Sequence, residues 1–115
     1  MTKNKMKLNI NDIGGKIAKQ DIRYVVRDNT LLKNLVLSST RLQPGYSTSG
    51  HKHPGQEEVY FFVDGIGKMY LDDVPQDVVA GDIVLIEDGI HHRVLNTHRK
   101  KPLIFNCVFD GKRNH

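Results

Sequence analysis

The sequence predicts an all-β fold built as one barrel-like domain. Three observations predict it. Short apolar runs recur along most of the 115 residues, each is bounded by residues that turn the chain, and the last of them alternates sides. A chain of this length buries one core and not two, so a single domain follows. The hydrophobic fraction of 38% and the charged fraction of 26% are globular values, unlike those of membrane-embedded or disordered chains.

Taken in order, residues 1–12 are polar and charged and read as a loosely held N-terminal arm, with the barrel domain spanning 13–115. The segment 17–26 fits a short helix or an edge strand, and its periodicity does not decide between them. From Leu31 the pattern clears. Runs rich in Val, Ile, Leu, Phe and Tyr cover 31–42, 59–63, 68–71, 78–80, 83–86, 92–95 and 103–109. Between them stand Pro44-Gly45, Pro54-Gly55, Asp64-Gly65, Asp72-Asp73, Ala80-Gly81 and Asp88-Gly89, residue types that supply positive φ or preset turn geometry. In the last run Phe105, Cys107 and Phe109 share one strand face while Ile104, Asn106 and Val108 share the other. No internal repeat, low-complexity tract or linker interrupts the series.

Charge and cysteine usage narrow the partners. Of the net charge of +4, three charges belong to Lys3, Lys5 and Lys7, so the body is near neutral. Arg99, Lys100 and Lys101 form a second, short run in a turn-like context. Neither run makes the continuous basic stripe that a phosphate backbone requires, and no nucleic-acid partner is expected. Cys107 is the single cysteine, which rules out an internal disulfide and suits a reducing compartment. No apolar run of signal-peptide length follows Met1, and none is long enough to span a bilayer. The expectation is a cytoplasmic protein with no membrane partner.

The chemistry is concentrated in two stretches. The first is Gly45-x5-His51-Lys52-His53-x4-Glu58-x6-Gly65. Two histidines at i and i+2 on a strand project from one face, so both imidazoles can meet one ion inside a barrel. Pro54-Gly55 turns the chain, Glu58 starts the next strand on the same side, and Tyr60 and Phe62 continue along its face. The second stretch is Gly81-x5-Glu87-x-Gly89-x2-His92-x3-Asn96, which can supply a third imidazole. A His-x-His pair alone carries little in a chain with six histidines; the weight lies in the combination.

Together the two stretches resemble the paired motifs of the cupin family, over residues 45–96. The resemblance implies a jelly-roll β-barrel, and position by position it makes His51, His53, Glu58 and His92 the ligands of one divalent transition metal ion. One departure is Glu87, which stands where the second motif usually carries proline and puts the backbone path before His92 in question. Glu57 is the alternative carboxylate, although only Glu58 keeps the six-residue distance to Gly65. His91 should face away from His92 by strand alternation, and His98 and His115 lie in polar segments.

Three imidazoles and a carboxylate suit Fe, Mn, Zn, Ni or Co, and affinity order does not select among them. Four protein ligands leave two positions open on an octahedral ion, whereas a tetrahedral zinc would be closed and structural. The resemblance implies many chemistries. The leading expectation is an enzyme whose metal acts as a Lewis acid on a small polyhydroxy or oxo-acid substrate, as in sugar isomerases and epimerases, with Glu58 and Tyr60 as the catalytic candidates. A metal-dependent dioxygenase and a non-catalytic module for a small ligand are the alternatives. Asn34, Ser38 and Thr40 share one face of an early strand and Lys33, Leu35, Leu37, Ser39 and Arg41 the other, with the pocket-lining face undecided. A homodimer is expected, in which the strand 31–37 or the N-terminal arm completes a neighbour's sheet.

Overall fold

The computed structural model describes residues 6–52 and 54–111. Among these residues it is all β: nine strands and no α-helix. The ambiguous segment near the start is two strands, β1 (Lys16–Gln20) and β2 (Tyr24–Asn29). The turn between them is set by Asp21, whose Oδ1 accepts from the Arg23 amide at 2.8 Å, an Asx-type closure that competes with helix. The strand expected from Leu31 begins later, as β3 (Leu35–Leu42). Its delay has a cause in Asn29, whose Oδ1 accepts from the Leu31 amide at 3.0 Å and turns the chain first.

The remaining strands are β4 (Glu58–Asp64), β5 (Ile66–Leu71), β6 (Val74–Val79), β7 (Ile83–Ile86), β8 (His92–Asn96) and β9 (Leu103–Asp110). They form a six-stranded sheet in the order β1-β2-β3-β9-β4-β7 and a three-stranded sheet in the order β6-β5-β8. The chain passes from the large sheet to the small one at Gly65, with φ of 99°. A Cβ there would lie 2.7 Å from the Pro102 carbonyl oxygen, so glycine is required for both reasons. The β5–β6 hairpin closes through Asp72 and Asp73, with φ of 47° and 66°, the left-handed pair that a two-residue turn needs.

An extended segment, 45–51, runs along β8 and enlarges the small sheet. Thr48 donates its amide to the Val94 carbonyl at 2.9 Å, and His51 and His92 exchange both backbone bonds at 2.9 and 2.8 Å. That pairing brings the two histidines side by side.

The core lies between the sheets. Across the inner face of the large sheet the register aligns Val36, Phe109, Glu58 and Ile86 in one row, and Ser38, Cys107, Tyr60 and Val84 in the next. Val26, Thr40, Phe105 and Phe62 make a third row. The face of β3 that carries Ser38 and Thr40 therefore points inward, and the face that carries Leu35, Ser39 and Arg41 points outward. From the small sheet, Met69 and Val94 close the core. One expectation is corrected here. β3 is paired on both sides, by β2 and β9, so it has no edge to lend to a neighbour's sheet; the edges of the large sheet are β1 and β7.

Candidate metal centre

Glu58 is the first residue of β4, and strand alternation places it, Tyr60 and Phe62 on the inner face. The carboxylate is 6% exposed and the His92 side chain 3%, and Oε2 of Glu58 lies 3.3 Å from Nε2 of His92. The other ring nitrogen decides what that distance means. Nδ1 of His92 is 3.0 Å from the Ile90 carbonyl oxygen. A carbonyl only accepts, so Nδ1 carries the hydrogen, and in the neutral ring Nε2 is an acceptor aimed at the carboxylate. Two acceptors this close, both buried, require a proton or a metal cation between them. A backbone carbonyl on the distal nitrogen is also the usual support of a metal-ligating histidine.

His51, half-buried, stands beside this pair with its ring edge to His92 at a centroid distance of 5.9 Å. Tyr60 meets His92 edge-on at 5.7 Å and stacks on Phe105 at 5.4 Å. Of the sequence-derived site residues, the fold thus brings together His51, Glu58, His92 and Tyr60. His53 lies outside the described residues. Among the described residues no three His, Cys, Asp or Glu side chains close around one point as an ion would require. The donor types and the orientation of His92 fit a divalent transition ion.

The alternatives fall elsewhere. Glu57 is exposed and leaves the interior to Glu58. The ring of His91 lies over Gly50, where a Cβ would come within 2.8 Å of it; His91 and His92 face opposite ways. Nδ1 of His98 accepts from the amides of Lys100 and Lys101 at 2.9 and 3.0 Å and serves a turn. His115 lies outside the described residues. The turn before His92 forms without proline: the Ile90 amide donates to the Glu87 carbonyl at 3.2 Å around Gly89, with φ of 79°. Asp88 adds an acceptor for the Gly55 amide at 2.6 Å, tying the two motif loops together.

Glu58, His51 and Tyr60 line a cavity of about 40 Å³. Ser38 and Thr40 from β3, Thr48 from the extended segment, Tyr24 from β2 and Cys107 from β9 add polar atoms to its wall, and Lys19 from β1 adds a cation. Lys19, Tyr24 and Thr48 were not found by sequence reasoning. Tyr24 sits in a segment with no motif spacing, Thr48 is one of the five unspecified residues between Gly45 and His51, and Lys19 sits where alternation fails. Outside the cavity, the Arg23 guanidinium holds the Asp21 carboxyl below its ordinary value through hydrogen bonds. Arg23 also donates to the Ser49 hydroxyl at 2.7 Å, fastening the loop that delivers His51.

Comparison with known proteins agrees with this fold. An oxalate-binding protein of Thermotoga maritima is 27% identical over 84 residues, covering 73% of this chain and 69% of that protein. The crystal structure of a predicted oxalate decarboxylase from Thermotoga maritima superposes with a TM-score of 0.66 at 26% identity, over 76% of this chain and 82% of that one. An RmlC-like cupin from Shewanella frigidimarina superposes with a TM-score of 0.74 at 17% identity, over 87% and 86%, which speaks to the fold alone. The family model for the cupin domain matches residues 38–109, the span that runs from the inner face of β3 through both motif stretches to β9, and this chain therefore belongs to the cupin family.

Proposed function

We propose that the chain is a metal-dependent cupin acting on a small oxo-acid or polyhydroxy compound, with His51, His53, Glu58 and His92 as ligands of one divalent transition ion. The observation that carries this reading is the buried approach of Nε2 of His92 to the Glu58 carboxylate at 3.3 Å, with Nδ1 committed to the Ile90 carbonyl. When bound, the ion supplies Lewis acidity toward a carbonyl or enediolate oxygen. The hydroxyls of Ser38, Thr40 and Thr48 are placed along the cavity to hydrogen-bond a substrate's oxygens. Glu58 and Tyr60 are the groups available to hold a proton beside it. The ring of Phe105 stacks on Tyr60 and fixes its place in the wall.

The Thermotoga relative named for binding oxalate supports a small oxo acid as the ligand. It also supports a second reading, a module that binds its ligand without turnover. Elemental analysis of protein purified without added metal tests the ligand set, and near-absence of any transition ion refutes it. Turnover of small oxo acids and sugars is then assayed with and without O₂. Activity without O₂ supports proton-transfer chemistry, a strict O₂ requirement replaces it with dioxygenase chemistry, and a ligand-raised melting temperature without turnover leaves the binding module.

We further propose a homodimer in a reducing, cytoplasmic setting. The outer face of the large sheet supports the dimer. Ile83 and Leu85 on β7 are 65% and 70% exposed, next to Phe61 and Val59 in register on β4, a patch suited to burial against a second copy. The single cysteine, Cys107, is buried and unbridged, which suits that compartment.

A further inference from the structure

The N-terminal arm crosses the outer face of the large sheet and is fastened there. Asn106, on the outer face of β9, donates from Nδ2 to the Ile10 carbonyl at 3.3 Å, and Asn29, at the end of β2, donates from Nδ2 to the Ile13 carbonyl at 2.8 Å. Both asparagines and Ile13 are buried. Gly15, with φ of 81°, then presses against β2 so closely that a Cβ would overlap the Asp28 carbonyl oxygen. Between the arm and the sheet lies a groove, to which the arm contributes Asp12, Gly14 and Gly15 and the sheet contributes Arg27, Ser39 and Arg41.

The register puts the two arginines together. Arg27 of β2 pairs with Ser39 of β3, and Arg41, two residues further along β3, pairs with Val25. Arg27 and Arg41 are therefore diagonal neighbours on the outer face, about 7–8 Å apart by sheet geometry, with Ser39 beside both. Three other cations have partners: Arg23 is paired with Asp21 at 2.8 Å, Lys68 with Asp77 at 3.0 Å, and Arg93 lies over the Tyr70 ring at 3.8 Å. Among the described residues, neither the Arg27 nor the Arg41 guanidinium enters an ion pair or a hydrogen bond. Like charges at that separation repel, so their juxtaposition costs free energy unless an anion lies between them. The carboxylate in the groove, Asp12, accepts from the Gly14 amide at 3.0 Å and closes the arm's own turn. Asp64 is in register with Ile104, two strands from Arg41 and about 10 Å away. The groove thus holds two positive groups against one negative.

We propose that this groove is an anion site, separate from the barrel cavity, that binds one phosphoryl group carried on a small molecule. Each planar guanidinium fork takes two oxygens in parallel, so two forks that share an oxygen still need three, which a phosphate has and a carboxylate does not. The Ser39 hydroxyl supplies a further donor. Two arginines and a hydroxyl suit a single phosphoryl group and not the run of phosphates along a nucleic acid. Arg27 and Arg41 alternate along their strands with Val26 and Thr40, which line the barrel cavity, so β2 and β3 present one site on each face. The proposal is therefore independent of the metal-ligand assignment.

The test is titration calorimetry on the full chain in phosphate-free buffer at fixed ionic strength, with phenyl phosphate and benzoate as probes. The samples are wild type, Arg27→Gln, Arg41→Gln and Lys68→Gln. Both arginines are exposed, so their replacement leaves the fold intact, and Lys68→Gln removes one positive charge from the small sheet as a control. The expected result is one phenyl phosphate per chain, bound about tenfold more weakly by each arginine variant and within about twofold of wild type by Lys68→Gln. Benzoate should bind wild type at least about tenfold more weakly than phenyl phosphate does. Unchanged phenyl phosphate affinity in both arginine variants would place the anion elsewhere, such as at the barrel's metal centre, and overturn the proposal. An equal loss in all three variants would reduce the effect to net charge and overturn it as well. Equal affinity for the two probes, or a wild type that binds neither, has the same consequence.

Discussion

Replacing Asn96 with alanine should cost this fold several kilocalories, although Asn96 touches no candidate ligand atom. Asn96 ends the second motif stretch and is 1% exposed. Its Nδ2 donates to the carbonyls of Leu42 at 3.0 Å and Lys101 at 2.9 Å, and its Oδ1 accepts from the His98 amide at 2.9 Å. One side chain therefore holds the end of β3, the end of β8 and the turn into β9. Leu42 is fully buried, so its carbonyl loses its partner where water does not reach, at about 2 kcal/mol. The Lys101 and His98 groups lie near the surface and can be rehydrated, at about 1 kcal/mol each. The sum is about 4 kcal/mol, and for 115 residues it lowers the melting temperature by about 16 °C, at about 4 °C per kcal/mol. Urea denaturation followed by far-UV circular dichroism measures it, because the chain has no tryptophan. Asn96→Asp is the informative control. It fills the same volume and still accepts from His98, yet it turns a carboxylate oxygen toward two carbonyls, so it should fall at least as far as alanine. A loss below about 1 kcal/mol for alanine, or an aspartate variant near wild type, would refute the assignment of that stability to the three hydrogen bonds.

The other predictions concern the site and its surroundings. His51→Ala and His92→Ala should each abolish stoichiometric metal while circular dichroism stays that of a β-barrel; retention of one ion per chain in the His92 variant would remove it from the ligand set. Glu58→Gln should weaken metal binding by about a hundredfold and Glu57→Gln by less than about twofold, and the reverse order in a chelator competition would transfer the role to Glu57. Gly50→Ala puts a Cβ on a residue with φ of 87° and 2.8 Å from the His91 ring, and should cost about 1–2 kcal/mol in a denaturant midpoint. Leu85→Lys should shift a dimer toward monomer in light scattering after gel filtration, and an unchanged mass would locate the contact elsewhere.

Which candidate residues face the interior was legible where the strand obeys period two. Glu58, Tyr60 and Phe62 read as one face and are one face, and His91 and His92 read as opposed and are opposed. His51 was legible by spacing but not by mechanism: it lies on an isolated bridge to His92, not on a regular strand. Which face of β3 meets the cavity was not legible, since hydroxyls at 38 and 40 serve a solvated face or a polar cavity equally well. Asn29 and Asp21 decided two element boundaries through side-chain bonds to the backbone, and residue composition alone does not distinguish such a closure from a strand start. Lys19 was invisible because one inserted residue reverses the alternation, and a bulge leaves no mark in a single sequence.

The position of β9 bears on how the molecule comes into being. It is made after the other eight described strands, yet it lies between β3 and β4 in the large sheet. Until β9 emerges, β3 and β4 lack the partner that joins them, and the inner rows from Val36 to Ile86 and from Ser38 to Val84 remain split. Closure must wait for contacts far apart in sequence, which makes such topologies slow to fold and leaves strand edges open to other nascent chains in the interval. A stop codon just before β9 would therefore leave the two halves of the large sheet unjoined instead of merely shortening an edge.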